Sequence, residues 1–231
     1  MLGVAEFEAP DPERARRGLE DLELAIAARS PDPEPIVLRV EADVEAALRE
    51  HDEFHGQVAE DVMLVLGSVI RYVAARLAGP AHFMKESEEL PVEKELADDF
   101  ELWLRSGILN RGTLTIEHRA MGGGRADVAV GFGTHQVVVE LKRELDDASR
   151  EHLETVYSDQ AASYQATDYP FGAVLVLDLS LVQTTSTPRL PELIFTSEQA
   201  VASDRRLLMF AIVPGRRQSP SELTQLAKRG R

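Results

Sequence analysis

The stretch Arg125–Arg143 (RADVAVGFGTHQVVVELKR) holds three residues whose types and spacing could do chemistry together. Glu140 and Lys142 stand two apart, directly after Val137-Val138-Val139. On a strand that spacing sends both side chains to one face. A carboxylate and an ammonium in so apolar a setting are expensive to bury without a partner or a task. Asp127, on the strand expected before them, can be brought opposite in a hairpin. Two converging carboxylates repel unless a cation lies between them. Oxygen ligands suit Mg2+ or Mn2+, which bind oxygen at about 2.1 Å and keep waters. A cation so held can polarise a phosphoryl oxygen and supply hydroxide near neutral pH. The adjacent lysine can orient that water or offset charge growing on the phosphate. This chemistry is metal-assisted phosphodiester hydrolysis. The other reading of the same spacing is a surface ion pair on an edge strand.

The elements that must position these residues follow from the pattern. Strands are expected at 113–119, 125–131 and 136–143, with Gly122-Gly123-Gly124 and Gly131-Phe132-Gly133 as turns. Before them, 92–106 (VEKELADDFELWLRS) reads as an amphipathic helix with Leu96, Phe100, Trp103 and Leu104 on one face. After them come a helix over 146–166 and an apolar strand over 172–179 of the buried-sheet kind. A strand at 192–196, a short helix from Ser197, a strand at 207–213 and a last helix from Ser219 close the chain. At the other end, 11–29 reads as a helix with Asp11 as N-cap and Pro12 behind it. Residues 36–40 (IVLRV) form a short β candidate. A long helical region then runs from about Ala42 to Leu77, stopped by Gly79-Pro80. The order predicts an α/β fold, a mixed central sheet flanked by helices, with an N-terminal helical region. Residues 1–88 are expected to be mainly helical, and 89–231 to carry the site, with its motifs in 91–180.

The 231 residues are 44% hydrophobic and 28% charged, which excludes wholesale disorder. There is no cysteine, so disulfides, thiolate zinc sites, iron–sulfur clusters and cysteine nucleophiles are excluded, and a cytoplasmic setting is expected. The longest apolar run, Met63–Ile70, is far too short for a membrane span, and the acidic, proline-bearing start is unlike a signal peptide. The net charge of −15 argues against a broad nonspecific nucleic-acid footprint. Yet Leu102–Arg143 has six basic and three acidic residues, and Val201–Arg231 has seven and two, so two segments are locally basic.

The set Asp127 and Glu140-Leu141-Lys142 after an apolar strand resembles the PD-(D/E)XK nuclease superfamily. A preceding glutamate-bearing helix and Gln160-Ala161-Ala162-Ser163-Tyr164 on the next helix extend the likeness. The last element is similar to the Q-xxx-Y motif of its recombination-nuclease and phage-exonuclease branch. The resemblance covers about Pro91–Ser180, and Ala126 stands where the name has proline. It implies a restriction-endonuclease-like fold and an Mg2+- or Mn2+-dependent deoxyribonuclease in a defence, restriction or repair context. Asp127, Glu140 and the Leu141 carbonyl would be ligands, and Lys142 the water-activating or charge-stabilising residue. Gln160 and Tyr164 would shape the site or touch DNA. Glu93 is the expected helix glutamate, with Glu95 in reserve. The partner implied is DNA, with a homodimer or a larger complex as further partners. The competing class is a non-catalytic interaction module on the same fold, or a subunit of a larger nucleic-acid-processing complex.

Other candidates are weaker. His51 and His55 stand at i, i+4 on the expected helix, a zinc-compatible spacing, but Asp52 stands where a zincin needs glutamate. Asp127 occupies the third-glycine position of a dinucleotide fingerprint, which excludes that motif. Arg119, Arg125 and Arg143 could position phosphate or simply meet solvent at strand ends. The basic tail (Arg216, Arg217, Lys228, Arg229, Arg231) could bind nucleic acid or solubilise the end.

Overall fold

The computed structural model describes residues 34–78, 90–107, 115–120, 126–133, 135–164, 170–180, 188–201 and 204–215. Side chains are described for these except at 115–120, 126–127, 158–164, 201 and 204. The expected helices at 11–29 and from Ser219, the Gly79-Pro80 stop, the triple-glycine turn, Arg125 and the basic tail lie outside the described residues.

Helix α1 spans Pro35–Leu48, with proline in its first turn and Val37, Val40, Val44 and Leu48 buried. Those four recur at three- and four-residue intervals, which builds one apolar helical face. The β reading of 36–40 is therefore overturned. Its β-branched residues favour strands only weakly, and the longer helical period decides. Helix α2 spans Gly56–Ala78 and α3 spans Glu93–Gly107. The single long helix expected over 42–77 is two, because residues 49–55 turn the chain. Gly56 supplies the left-handed backbone (φ 53°) at the start of α2.

The strands are β1 (Thr115–Ala120), β2 (Ala126–Gly131), β3 (Gln136–Glu144), β4 (Phe171–Asp178), β5 (Ile194–Val201) and β6 (Asp204–Pro214). Helix α4 (Arg150–Tyr164) joins β3 to β4, and one-turn α5 (Leu190–Leu193) precedes β5. The helix expected from Ser197 is strand instead. Ser197 pairs with Leu208 in an antiparallel ladder that runs to Val201 opposite Asp204. The β2–β3 hairpin closes with Gly133 at φ 71° and the Phe132 N–H donating to the His135 carbonyl at 2.8 Å.

The sheet order is β1-β2-β3-β4-β6-β5. β1, β2 and β3 are antiparallel neighbours; β3, β4 and β6 run parallel; β5 returns antiparallel to β6. Parallel neighbours need a crossover, and α4 provides the one between β3 and β4. The register makes two faces. Val139 pairs with Ala173, which shares its sheet face with Phe171, whose ring meets His51 and Phe54 edge-on at 5.6 and 5.7 Å. The register from Val138↔Gly172 therefore assigns that face to the α1–α2 turn. Helix α3 joins it, since Trp103 Nε1 donates to the Ser68 carbonyl of α2 at 3.0 Å. Glu140, Val174, Phe210 and Phe195 align across the other face, where Arg150 of α4 sits 4.8 Å from the Phe195 ring.

One hydrophobic core runs from Val37 to Val213, so helices on either side of residue 89 share it. Phe100, Trp103 and Leu104 are buried in it as the amphipathic pattern expects, each worth about 1.5–3 kcal/mol of transfer free energy. Among the described residues, no helix is long and apolar enough to cross a membrane.

Candidate functional site

Strand β3 places a row of ionisable groups on the α4 side of the sheet. Val137, Val139 and Leu141 alternate with Val138, Glu140, Lys142 and Glu144, and alternation sends the two sets to opposite faces. Glu140 and Lys142 are each 1% exposed and form an ion pair. They are third in a six-strand order, flanked by Val174 and Val176 of β4. A surface pair on an edge strand is therefore excluded.

Energetics bears on why such a pair is there. Desolvating two charges cancels much of their attraction, and well-packed apolar residues in such a place are often neutral or stabilising by about 1–4 kcal/mol. Neighbours as apolar as Val174, Val176 and Phe210 would accept them. Stability alone is a poor account of a glutamate and a lysine at this depth.

Glu144 completes the row, and period-two continuation past ELK was the signal that could have singled it out. Its Oε1 accepts the N–H groups of Leu145 and Asp146 at 2.9 and 3.0 Å. Its Oε2 accepts the Tyr157 hydroxyl at 3.0 Å, and His152 Nε2 lies 3.3 Å away. Burial alone pushes the Glu144 carboxyl up, but the Asp146 amide, the Tyr157 hydroxyl and the amides of Asp147 and Leu145 together hold it below its ordinary value. The same Tyr157 ring has its centroid 5.8 Å from Lys142 Nζ. Tyr157 thus roofs the lysine while bonding the second glutamate.

The remaining expected residues fall as follows. Asp127 is in β2, and Val128 pairs with Val139 in an antiparallel ladder. The ladder ends at that pair, with Asp127 and Glu140 the next residues on the two neighbouring strands; the side chain of Asp127 is not among those described. On its other side Asp127 pairs with Arg119 of β1. Leu141 is buried and pairs with Leu175 of β4. Gln160 and Tyr164 lie on α4, three and seven residues after Tyr157, the spacing of one helical face. Arg143 alternates to the opposite face, where its Nη1 donates to the Pro91 carbonyl at 3.2 Å. That contact holds the start of α3, and with it the half-buried Glu93, near the C-terminal end of β3. Glu95 accepts the Val92 N–H at 3.0 Å.

The residues 51–55 form a turn, so the two histidines do not share a helix face. His51 is buried with Nε2 3.6 Å from Glu198, while the His55 ring contacts the Asp52 carbonyl at 2.7 Å. Two further clusters carry no sequence motif. Asp99 of α3 takes the Tyr72 hydroxyl at 2.5 Å and pairs with Arg76, all three buried. Asp61 lies 3.2 Å from His135 Nε2 and accepts Gln57 at 3.0 Å.

Among the described residues, no three acidic or histidine side chains converge to hold a metal ion. The candidate donors are the Glu140 carboxylate, paired with Lys142, and Asp127 on the neighbouring strand. They are hard oxygen donors on adjacent strands, and that chemistry fits Mg2+ or Mn2+. Comparison with family models, with curated proteins and with solved structures finds no match.

Proposed function

We propose that this chain is a Mg2+- or Mn2+-dependent nuclease acting on DNA, with the restriction-endonuclease-like fold of the PD-(D/E)XK superfamily. The observation that carries the reading is the Glu140–Lys142 pair, sealed in an apolar sheet where uncharged residues would do as well for stability. Two further features support it. The element order α3-β1-β2-β3-α4-β4, with β3 parallel to β4, has the succession the resemblance implies. The β2–β3 ladder ends at Val128 and Val139, which leaves Asp127 and Glu140 as the next residues on neighbouring strands.

In this reading Asp127, Glu140 and the Leu141 carbonyl are the ligands. A divalent cation there would polarise the phosphoryl oxygen and acidify a water. Lys142 brings a positive charge to the same face, where it orients the attacking water or offsets charge on the phosphate. Tyr157 excludes bulk water above the lysine, which strengthens each of these interactions. Gln160 and Tyr164, further along the helix that carries Tyr157, would shape the site or touch the DNA backbone. Arg119 and Arg125, on or beside the β1–β2 hairpin, are the proposed phosphate contacts. Arg143, engaged with Pro91, serves α3 in this reading, and through it Glu93.

Linear, circular and single-stranded DNA incubated with the protein and Mg2+ or Mn2+ tests the proposal. Cleavage should be lost, by at least about 100-fold, in Asp127→Ala and Glu140→Gln. No cleavage of any substrate, or equal cleavage by both variants, abandons the enzyme.

A net charge of −15 favours a second reading, a non-catalytic module that docks a protein partner. Such a module gives no Asp127-dependent rise in melting temperature with Mg2+ or Mn2+, whereas a metal site does.

A further inference from the structure

We propose that Glu144 is a positioning residue of this site: it is the second berth of the Lys142 ammonium, occupied when Glu140 ligates a divalent cation. The inference rests on the reading of Glu140 as a metal ligand and adds to it how the chain makes that ligand available.

Glu140, Lys142 and Glu144 follow one another at two-residue steps on one face of β3. Each step is about 6.6 Å along a strand. A lysine side chain can swing across that distance by changing rotamers, with no backbone shift. In the structure Lys142 lies against Glu140. While it does, that carboxylate is neutralised. A divalent cation and an ammonium sharing one dry carboxylate repel each other, so Glu140 binds the cation more tightly once Lys142 has moved away from it. An ammonium released into an apolar interior with no counter-charge is strongly unfavourable. Release therefore needs a second anion within reach on the same face.

Glu144 is built as that anion. The amides of Leu145 and Asp146 fix its Oε1, and Tyr157 and His152 meet its Oε2. A carboxylate this well provided with donors needs no lysine for its own satisfaction, yet it stands two residues from one. Tyr157 spans the interval: its ring is 5.8 Å from Lys142 Nζ and its hydroxyl is on Glu144. The lysine's path from one glutamate to the other runs along an aromatic face, which attracts a cation.

The test uses the full chain and Mg2+ alone, by titration calorimetry and by lysine 13Cε NMR, with Lys142→Met identifying the Lys142 signal. The Lys142 signal in the wild-type protein should shift as Mg2+ saturates the site. Lys142→Met should bind Mg2+ about tenfold more tightly, having no ammonium to move, and Glu144→Gln about tenfold more weakly. In the double variant the Glu144 effect should vanish, because it acts through Lys142. A Glu144→Gln penalty equal in both backgrounds would mean a merely structural residue and overturn the proposal. If Lys142→Met does not fold, the wild-type titration decides through the lysine resonance that Glu144→Gln alone displaces; no lysine 13Cε resonance moving at saturation also overturns it. Binding that requires Asp127 but ignores Glu144 sinks only the second berth. Binding indifferent to Asp127→Ala, or none at all, sinks the metal site with it.

Discussion

The Tyr157 hydroxyl donates to the Glu144 carboxylate at 3.0 Å, and so ties α4 to the last residue of β3. Tyr157→Phe keeps the ring over Lys142 and removes only this donor. Hydrogen bonds to charged groups are worth about 1.5–3 kcal/mol, and the amides of Leu145 and Asp146 remain on the other oxygen. Urea unfolding of Tyr157→Phe should show a loss near the lower end of that range with an unchanged m value. A loss below about 0.5 kcal/mol would mean that water or His152 replaces the phenol.

The same carboxylate makes stability depend on acid. Burial raises the Glu144 pKa, its hydrogen bonds lower it, and the net effect is a value below the ordinary 4.5. The unfolded carboxylate therefore takes up a proton first as the pH falls. The contribution of Glu144 is fully present above about pH 4.5 and disappears as the pH drops through the folded-state value. Melting temperature followed from pH 7 to pH 3 should fall more steeply for the wild-type protein than for Glu144→Gln. Parallel curves would exclude this linkage.

Gly215 follows β6 and donates its N–H to the Asp178 carbonyl at 2.8 Å. A Cβ there would stand 2.6 Å from Leu179 Cδ2, 2.8 Å from Leu177 Cδ1 and 2.9 Å from the Asp178 oxygen. The leucine methyls can rotate, but the carbonyl belongs to the strand and cannot move without breaking the bond. Gly215→Ala should cost about 1–3 kcal/mol, the usual range for overpacking. Denaturation at neutral pH measures it, and a stability within 0.5 kcal/mol of wild type (about the scatter of surface changes) would show that the strand end gives way.

Where period and turn chemistry act locally, the sequence discloses this fold well. The three- and four-residue spacing of α2, the alternation and glycine turn of β2 and β3, and the apolar run of β4 all stand in the structure. The failures occur where two local signals compete. At 36–40 strand propensity competes with the helical spacing of Val37, Val40, Val44 and Leu48, and the spacing prevails. From Ser197 the polar stretch has local helical character, and its pairing with β6 is nonlocal and leaves no mark in TSEQA. At the site, the shared face of Glu140 and Lys142 is a consequence of strand period and was legible. Their depth was not, since it depends on β4 and α4 closing over them. Glu144 was within reach of the same alternation, but its partners Tyr157 and His152 lie a helix away. Asp99 and Arg76 are 23 residues apart on different helices, and no motif joins them.

Tyr72 is fully buried at the α2–α3 contact, where its hydroxyl donates to Asp99 at 2.5 Å and the Arg76 guanidinium lies 5.4 Å from its ring centroid. Burial first, and then the negative charge of Asp99, push its pKa well above the ordinary 10.0, and Arg76 only partly opposes them. Below pH 10 the phenol is neutral in folded and unfolded chains alike, and its contribution is fully present. Above pH 10 the unfolded phenol ionises while the buried one keeps its proton. Stability then falls by up to about 1.4 kcal/mol per pH unit until the folded-state value is reached. Removing the hydroxyl removes the slope. Tyr72→Phe should be less stable than wild type at pH 8, because Asp99 loses a donor, yet lose less stability between pH 9.5 and pH 11. The other three tyrosines of the chain remain in both proteins, so the difference between the two alkaline unfolding curves isolates Tyr72. Equal slopes would mean that the phenol ionises in place, and that the α2–α3 contact opens to water before the protein unfolds.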